Sequence, residues 1–140
     1  MKLSRTVSYA VRATLELAKN ESTEPVPCSR LAAAGDMPER FLLQILRSLV
    51  THGILRSTRG VDGGYALSRR PEDVSLLDLI EAIEGPLDAS GDQVEGMSGD
   101  THLKLHDALR NITATARHQL ESIKISQLLP PPRPTKQAAH

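Results

Sequence analysis

At 140 residues, with 39% hydrophobic and 24% charged side chains, the chain has the length of one domain with a modest core and is too apolar for wholesale disorder. Seventeen Lys and Arg balance 17 Asp and Glu, yet residues 1–70 hold 11 cations against 6 anions and residues 71–140 hold 6 against 11. Such a split marks either an N-terminal surface for a polyanion or a chance difference between solvated faces, and the lone Cys28 excludes a disulfide framework or a site needing several thiolates.

Along the chain, Val7, Ala10, Val11, Leu15 and Ala18 recur by threes and fours and predict an amphipathic helix over Ser4–Lys19. Two prolines break it, and a short helix over Ser29–Ala34 is expected to stop at Gly35. Asp36 is positioned to cap the next helix, with Pro38 in its first turn and Glu39 completing a capping box. Phe41, Leu42, Ile45, Leu46, Leu49 and Val50 form its apolar stripe, and Gly53 ends it. The period then changes: Ile54–Thr58 and Tyr65–Arg69 flank the glycine-rich stretch RGVDGGY, with Ile54, Tyr65 and Leu67 on one face, as in a β-hairpin.

Ser75 opens a further helix through Glu84, with Leu76, Leu79, Ile80 and Ile83 at helical spacing and Gly85-Pro86 as its stop. Residues 88–100 are acidic, glycine-rich and aperiodic, which reads as a flexible loop. A long helix over 101–125 carries Leu105, Leu109, Ile112, Ala116, Leu120 and Ile123 in one narrow stripe, which packs either on its own domain or on a second copy. The proline-rich stretch 126–140 is expected to be a disordered tail. No apolar run reaches the length of a membrane span, which places the chain in the cytoplasm.

Helix, short helix, helix, hairpin is the order of a winged helix-turn-helix, a module that meets DNA or protein partners. The stretches MKLSRTVSYAVRATLELA, FLLQILRSLVTHGILRSTRGVDGGYALSR and EDVSLLDLIEAIEGPL resemble the Rrf-two family of bacterial transcription regulators (IscR/NsrR/CymR-like) over residues 1–87. The resemblance implies a mainly α fold with a small β-hairpin, a winged helix-turn-helix domain over 1–87 and a long C-terminal dimerisation helix. It also implies a homodimer on palindromic operator double-stranded DNA, a repressor rather than an activator. The alternative is an interaction adaptor that binds no specific DNA. Nothing marks an enzyme: paired carboxylates, a nucleophile elbow and a phosphate-loop signature are all missing.

Cluster-binding members of that family carry three cysteines between the EGP helix and the long helix, whereas Gly85–Asp100 has none here, so no iron-sulfur cofactor and no metal are expected. The histidine ligand of one subgroup falls at Asp107, beside His106. His102 and His106 share a helix face; the choice is a metal site completed by Asp100 or Asp107, or two solvated rings. Cys28 is either a thiolate favoured by a helix N-terminus or a small core filler. A small-molecule or protein effector is left unassigned.

For DNA binding, the resemblance places wing Arg59 in the minor groove, where a narrow groove concentrates negative potential. Gly60, Gly63 and Gly64 let the loop turn and approach the sugar-phosphate edge, with Tyr65 as its anchor. Pro38, Glu39, Arg40, Phe41, Leu43 and Gln44 lie at the end of the third helix that faces base edges, Arg40 suited to guanine and Gln44 to adenine. Leu43 stands where relatives often carry glutamate. Lys2, Ser4, Arg5, Tyr9 and Arg12, with Arg47 and Arg56, are candidate phosphate contacts, and Arg12 has a rival partner in Glu16.

Overall fold

The computed structural model describes residues 2–20, 23–88 and 96–130. Helix α1, Arg5–Lys19, begins where the Ser4 hydroxyl accepts the Val7 amide at 3.2 Å. Such a cap satisfies a donor that the first turn leaves unpaired. The helix buries Val7, Ala10, Ala13, Thr14 and Leu17. Its buried face is thus turned from the expected stripe, and Val11, Leu15 and Ala18 are only half-buried at its flank. The turn is possible because the Thr14 hydroxyl donates to the Ala10 carbonyl at 2.7 Å, which satisfies the polar atom within the helix and frees its methyl for the core.

Helix α2, Cys28–Gly35, ends on Asp36 in the left-handed region (φ 51°, ψ 53°). The Asp36 and Met37 amides return to the carbonyls of Ala33 and Ala32 at 3.4 and 2.8 Å. Closing α2 in this way removes Asp36 from the next helix. Helix α3, Glu39–Thr51, has Pro38 at its N-cap and no side-chain cap, so the expected capping box does not form. It buries Leu42, Ile45, Leu46 and Leu49, leaves Val50 half-buried, and exposes Phe41. Gly53 follows at φ 76°, as expected of a helix stop.

Strands β1, Leu55–Thr58, and β2, Gly64–Leu67, pair antiparallel from Leu55↔Leu67 to Thr58↔Gly64. Ile54, Leu55 and Ala66 are buried, while Tyr65 and Leu67 are half-buried beside them. Val26, in the segment before α2, exchanges two 2.8 Å backbone hydrogen bonds with Tyr65 and ties the hairpin to the helices. After a 3-10 turn at Pro71–Asp73, helix α4, Leu76–Glu84, opens on a capping box in which Ser75 and Asp78 exchange bonds of 3.0 and 2.9 Å.

Helix α5 runs Gly99–Ser122, and a short α6, Ile125–Leu128, follows. Between them the chain bridges back to the start of α4: the Leu76 amide donates to the Ile123 carbonyl and the Ile125 amide to the Val74 carbonyl, each at 2.8 Å. Ile125 is fully buried in the core formed by α1, α2, α3, β1 and α4. The boundary expected at 126 is therefore misplaced, since residues 126–128 are helical and follow a core residue. Most of the 88–100 loop and the tail from 131 lie outside the described residues.

Candidate nucleic-acid interface

Arg40, Gln44 and Arg47 step by four and three along α3 and are exposed, opposite the buried face of that helix. The hairpin tip carries Arg59 and Gly60, both exposed, and between it and α3 runs a groove lined by Arg47, Thr51, Thr58, Arg59 and Tyr65. Two cations from separate elements thus share one depression. Lys2 and Arg5 are exposed at the start of α1, and Pro38 and Glu39 at the start of α3; Leu43 is half-buried.

The basic excess of the N-terminal half divides by partnership. Arg69 pairs with Asp78 at 3.3 Å, Arg70 with Asp73 at 3.1 Å and Lys19 with Glu16 at 3.2 Å, while Arg56 donates to the Thr23 carbonyl at 3.3 Å. Among the described residues Arg40, Arg47 and Arg59 have no ion-pair partner. Paired cations brace the surface; unpaired ones are free to meet a polyanion.

Several expected contacts have internal work. The Ser4 hydroxyl accepts from the Val7 amide. Arg12 donates to the Gly35 carbonyl and lies over the Tyr9 ring, so the Arg12–Glu16 pair is not formed. Tyr9 in turn meets Phe41. A side chain at Gly63 would lie 2.2 Å from the Thr58 carbonyl oxygen, and one at Gly64 2.4 Å from Val26. These two glycines lack side chains for contacts inside the protein; of the three glycines in the loop, Gly60 (φ 113°) faces open space. Val61, two residues beyond Arg59, is fully exposed at the tip and is not among the expected contacts. Its signal was an apolar residue in a turn too short to return it to the core.

Cys28 opens α2 half-buried, with its thiol 3.7 Å from the Glu39 carbonyl. Burial first, then the Glu39 charge, push its pKa above the ordinary 9.0, so it favours the neutral thiol of a core filler. Burial likewise raises Tyr65. The rings of His102 and His106 stack, centroids 6.3 Å apart and planes 17° from parallel, and no group of three metal-ligating residues forms among the described residues.

On α5, Leu105, Leu109, Ala116 and the following Ile123 are half-buried and Ile112 is 65% exposed. Leu120 departs from the expected seam: it is buried against Val7, Leu77 and Ile80 of its own chain. Arg117 reinforces that junction, bonding Glu81 at 2.5 Å and the Leu87 carbonyl at 3.1 Å. Among the described residues no helix is long and apolar enough to cross a membrane.

The Rrf2 family, described as an iron-dependent transcriptional regulator, matches residues 3–131. A putative HTH-type transcriptional regulator of Mycobacterium tuberculosis is 37% identical over 131 residues, covering 91% of this chain and 81% of that protein. The HTH-type transcriptional regulator IscR of Aliivibrio salmonicida is 28% identical over 130 residues, 92% of this chain and 77% of its own. Among solved structures, CymR, the global cysteine regulator of B. subtilis, superposes with a TM-score of 0.73 at 25% identity, covering 91% of this chain and 95% of CymR.

For the iron in that family description, the sequence offers one thiol. Gly85–Asp100 holds no cysteine, and the single thiol sits on α2 beside the hairpin. Thiolates hold iron-sulfur clusters, and the Gly, Ser and Asp of that segment do not replace three of them.

Proposed function

The chain belongs to the Rrf2 family of transcriptional regulators, and from that premise we propose that it binds palindromic operator DNA as a homodimer and represses transcription in the cytoplasm. DNA binding follows from the family. In the proposed docking α3 enters the major groove with Arg40 and Gln44 toward base edges, and Arg59 enters the adjacent minor groove. Arg47, Lys2 and Arg5 meet phosphates, and the half-buried and exposed stripe from Leu105 to Ala116 forms the seam between two copies.

One observation carries this reading: Arg47 on α3 and Arg59 on the hairpin line the same groove without an ion-pair partner among the described residues. A shared positive groove between a recognition helix and a wing is the electrostatic footprint of a duplex. Arg59→Ala is expected to weaken binding to a selected palindromic duplex by about 1–3 kcal/mol and to lower the salt slope by about one. Titration of the duplex at several salt concentrations checks both numbers. Wild-type affinity and slope in the variant would remove Arg59 from the groove.

A further inference from the structure

Three side chains that the sequence offers as DNA contacts are linked to one another across the helix-turn-helix. Arg12 on α1 donates through Nη2 to the Gly35 carbonyl at the end of α2, and its guanidinium lies 5.8 Å from the Tyr9 ring centroid. Tyr9 meets Phe41, in the first turn of α3, edge to face with centroids 5.7 Å apart and planes at 76°. Each link has a physical cause. The last carbonyls of a helix are unpaired and carry the negative end of its dipole, which favours a cation there. A planar guanidinium can donate at its rim while its face stacks on an aromatic ring, which an ammonium does less well. Edge-to-face rings add directionality to apolar contact.

Helix α3 has no side-chain cap of its own, so its first turn is held by neighbours. Phe41, 36% exposed, is flanked by Arg40 and lies three residues before Gln44, the two residues assigned to base edges. We infer that Arg12 is a positioning residue: it clamps the end of α2 and, through Tyr9 and Phe41, sets the angle at which α3 enters the groove, without contacting phosphate itself. The consequence for specificity rests on the DNA reading above; the chain of contacts belongs to the free protein.

The probe is a duplex selected by the wild-type protein from a random pool, with a scrambled duplex of equal length as reference. Arg12→Ala is expected to lower the preference for the selected duplex roughly tenfold, the scale of one well-made base contact. Its slope of log affinity against log salt is expected to match wild type on both duplexes, because no phosphate contact is lost. Arg47→Ala calibrates that slope by lowering it about one. Arg12→Lys supplies a carbonyl donor without a stacking plane and is expected to restore part of the preference. If Arg12→Ala instead lowers the slope by about one and keeps the preference, Arg12 is a phosphate contact and the inference is overturned. A second readout needs no DNA: Phe41 is the single phenylalanine, so its ring resonances are unambiguous, and they are expected to move in Arg12→Ala. Unmoved resonances overturn the inference whatever the binding data show. Should the wild type select no duplex, the DNA reading fails alone, and the Phe41 resonances still decide the contact chain.

Discussion

Gly60, Gly63 and Gly64 share one loop and differ in what occupies the space of a missing side chain. At Gly60 that space is open, whereas at Gly64 (φ 154°) it is filled by the Val26 and Pro27 backbone. Gly64→Ala therefore has to break the Val26–Tyr65 bridge, and it is expected to cost about 2–4 kcal/mol, against about 1 kcal/mol for Gly60→Ala. Thermal melts of the two variants compare them, and equal losses would remove this account of the hairpin's anchoring. Cys28 gives a prediction in pH. Its folded pKa is raised above the ordinary 9.0, so the stability it contributes is complete below about pH 9 and is lost as pH rises through the folded value. Melts from pH 8 to 10.5 are expected to fall less steeply for Cys28→Ala than for wild type, with Tyr65 leaving a residual slope. Identical slopes would mean that the thiol does not titrate with folding.

Helix α5 spans 24 residues, of which Leu120 alone is buried. So long a helix with so small an intramolecular contact needs a further surface, and the stripe Leu105, Leu109, Ile112, Ala116 supplies one of the right shape. Ile112→Glu places a charge in that seam at a position 65% exposed in the single chain. The variant is expected to sediment with the mass of one chain while its circular dichroism stays that of the wild type. A dimer surviving at micromolar concentration would move the seam elsewhere. The periodicity of α5 was legible in the sequence, but its division was not. A 4-3 stripe looks the same whether it meets α4 or a second copy, and Leu120 turns inward because the chain closes back on Val74 and Leu76 just beyond it. The same closure hid α6, whose four residues are too short to show a period.

For the whole molecule, zero net charge conceals a sorted surface. Of the eleven cations of residues 1–70, Lys19, Arg69 and Arg70 bond to neighbouring acids and Arg12 and Arg56 to backbone carbonyls, while Arg47 and Arg59 line the groove without an ion-pair partner among the described residues. What remains for DNA is decided by pairing, which composition does not report. The cofactor question also belongs to this scale, because a cluster needs donors gathered from distant parts of a chain. With one thiol on α2 and none in residues 85–100, protein purified with or without air is expected to be colourless and free of stoichiometric iron and sulfide. Cluster absorption in the visible, with iron and sulfide by assay, would refute this expectation.

The sequence by itself determined the order of elements from α1 to α5 and placed Arg59 in the hairpin loop, because helical and strand periods, Ser75 as a cap and Gly53 and Gly85 as stops are local properties. It also leaves one cysteine per chain, and the expectation that no cysteine-held cluster forms rests on that count. Only the tertiary structure decided which polar groups were free. Arg12, Tyr9 and Phe41 lie on three turns of two helices, and their contact depends on how α1 crosses the α2–α3 corner. Asp36 became the end of one helix and not the start of the next for the same reason: a residue that fits two local roles is assigned by the contacts its neighbours make, and those contacts are set across the chain.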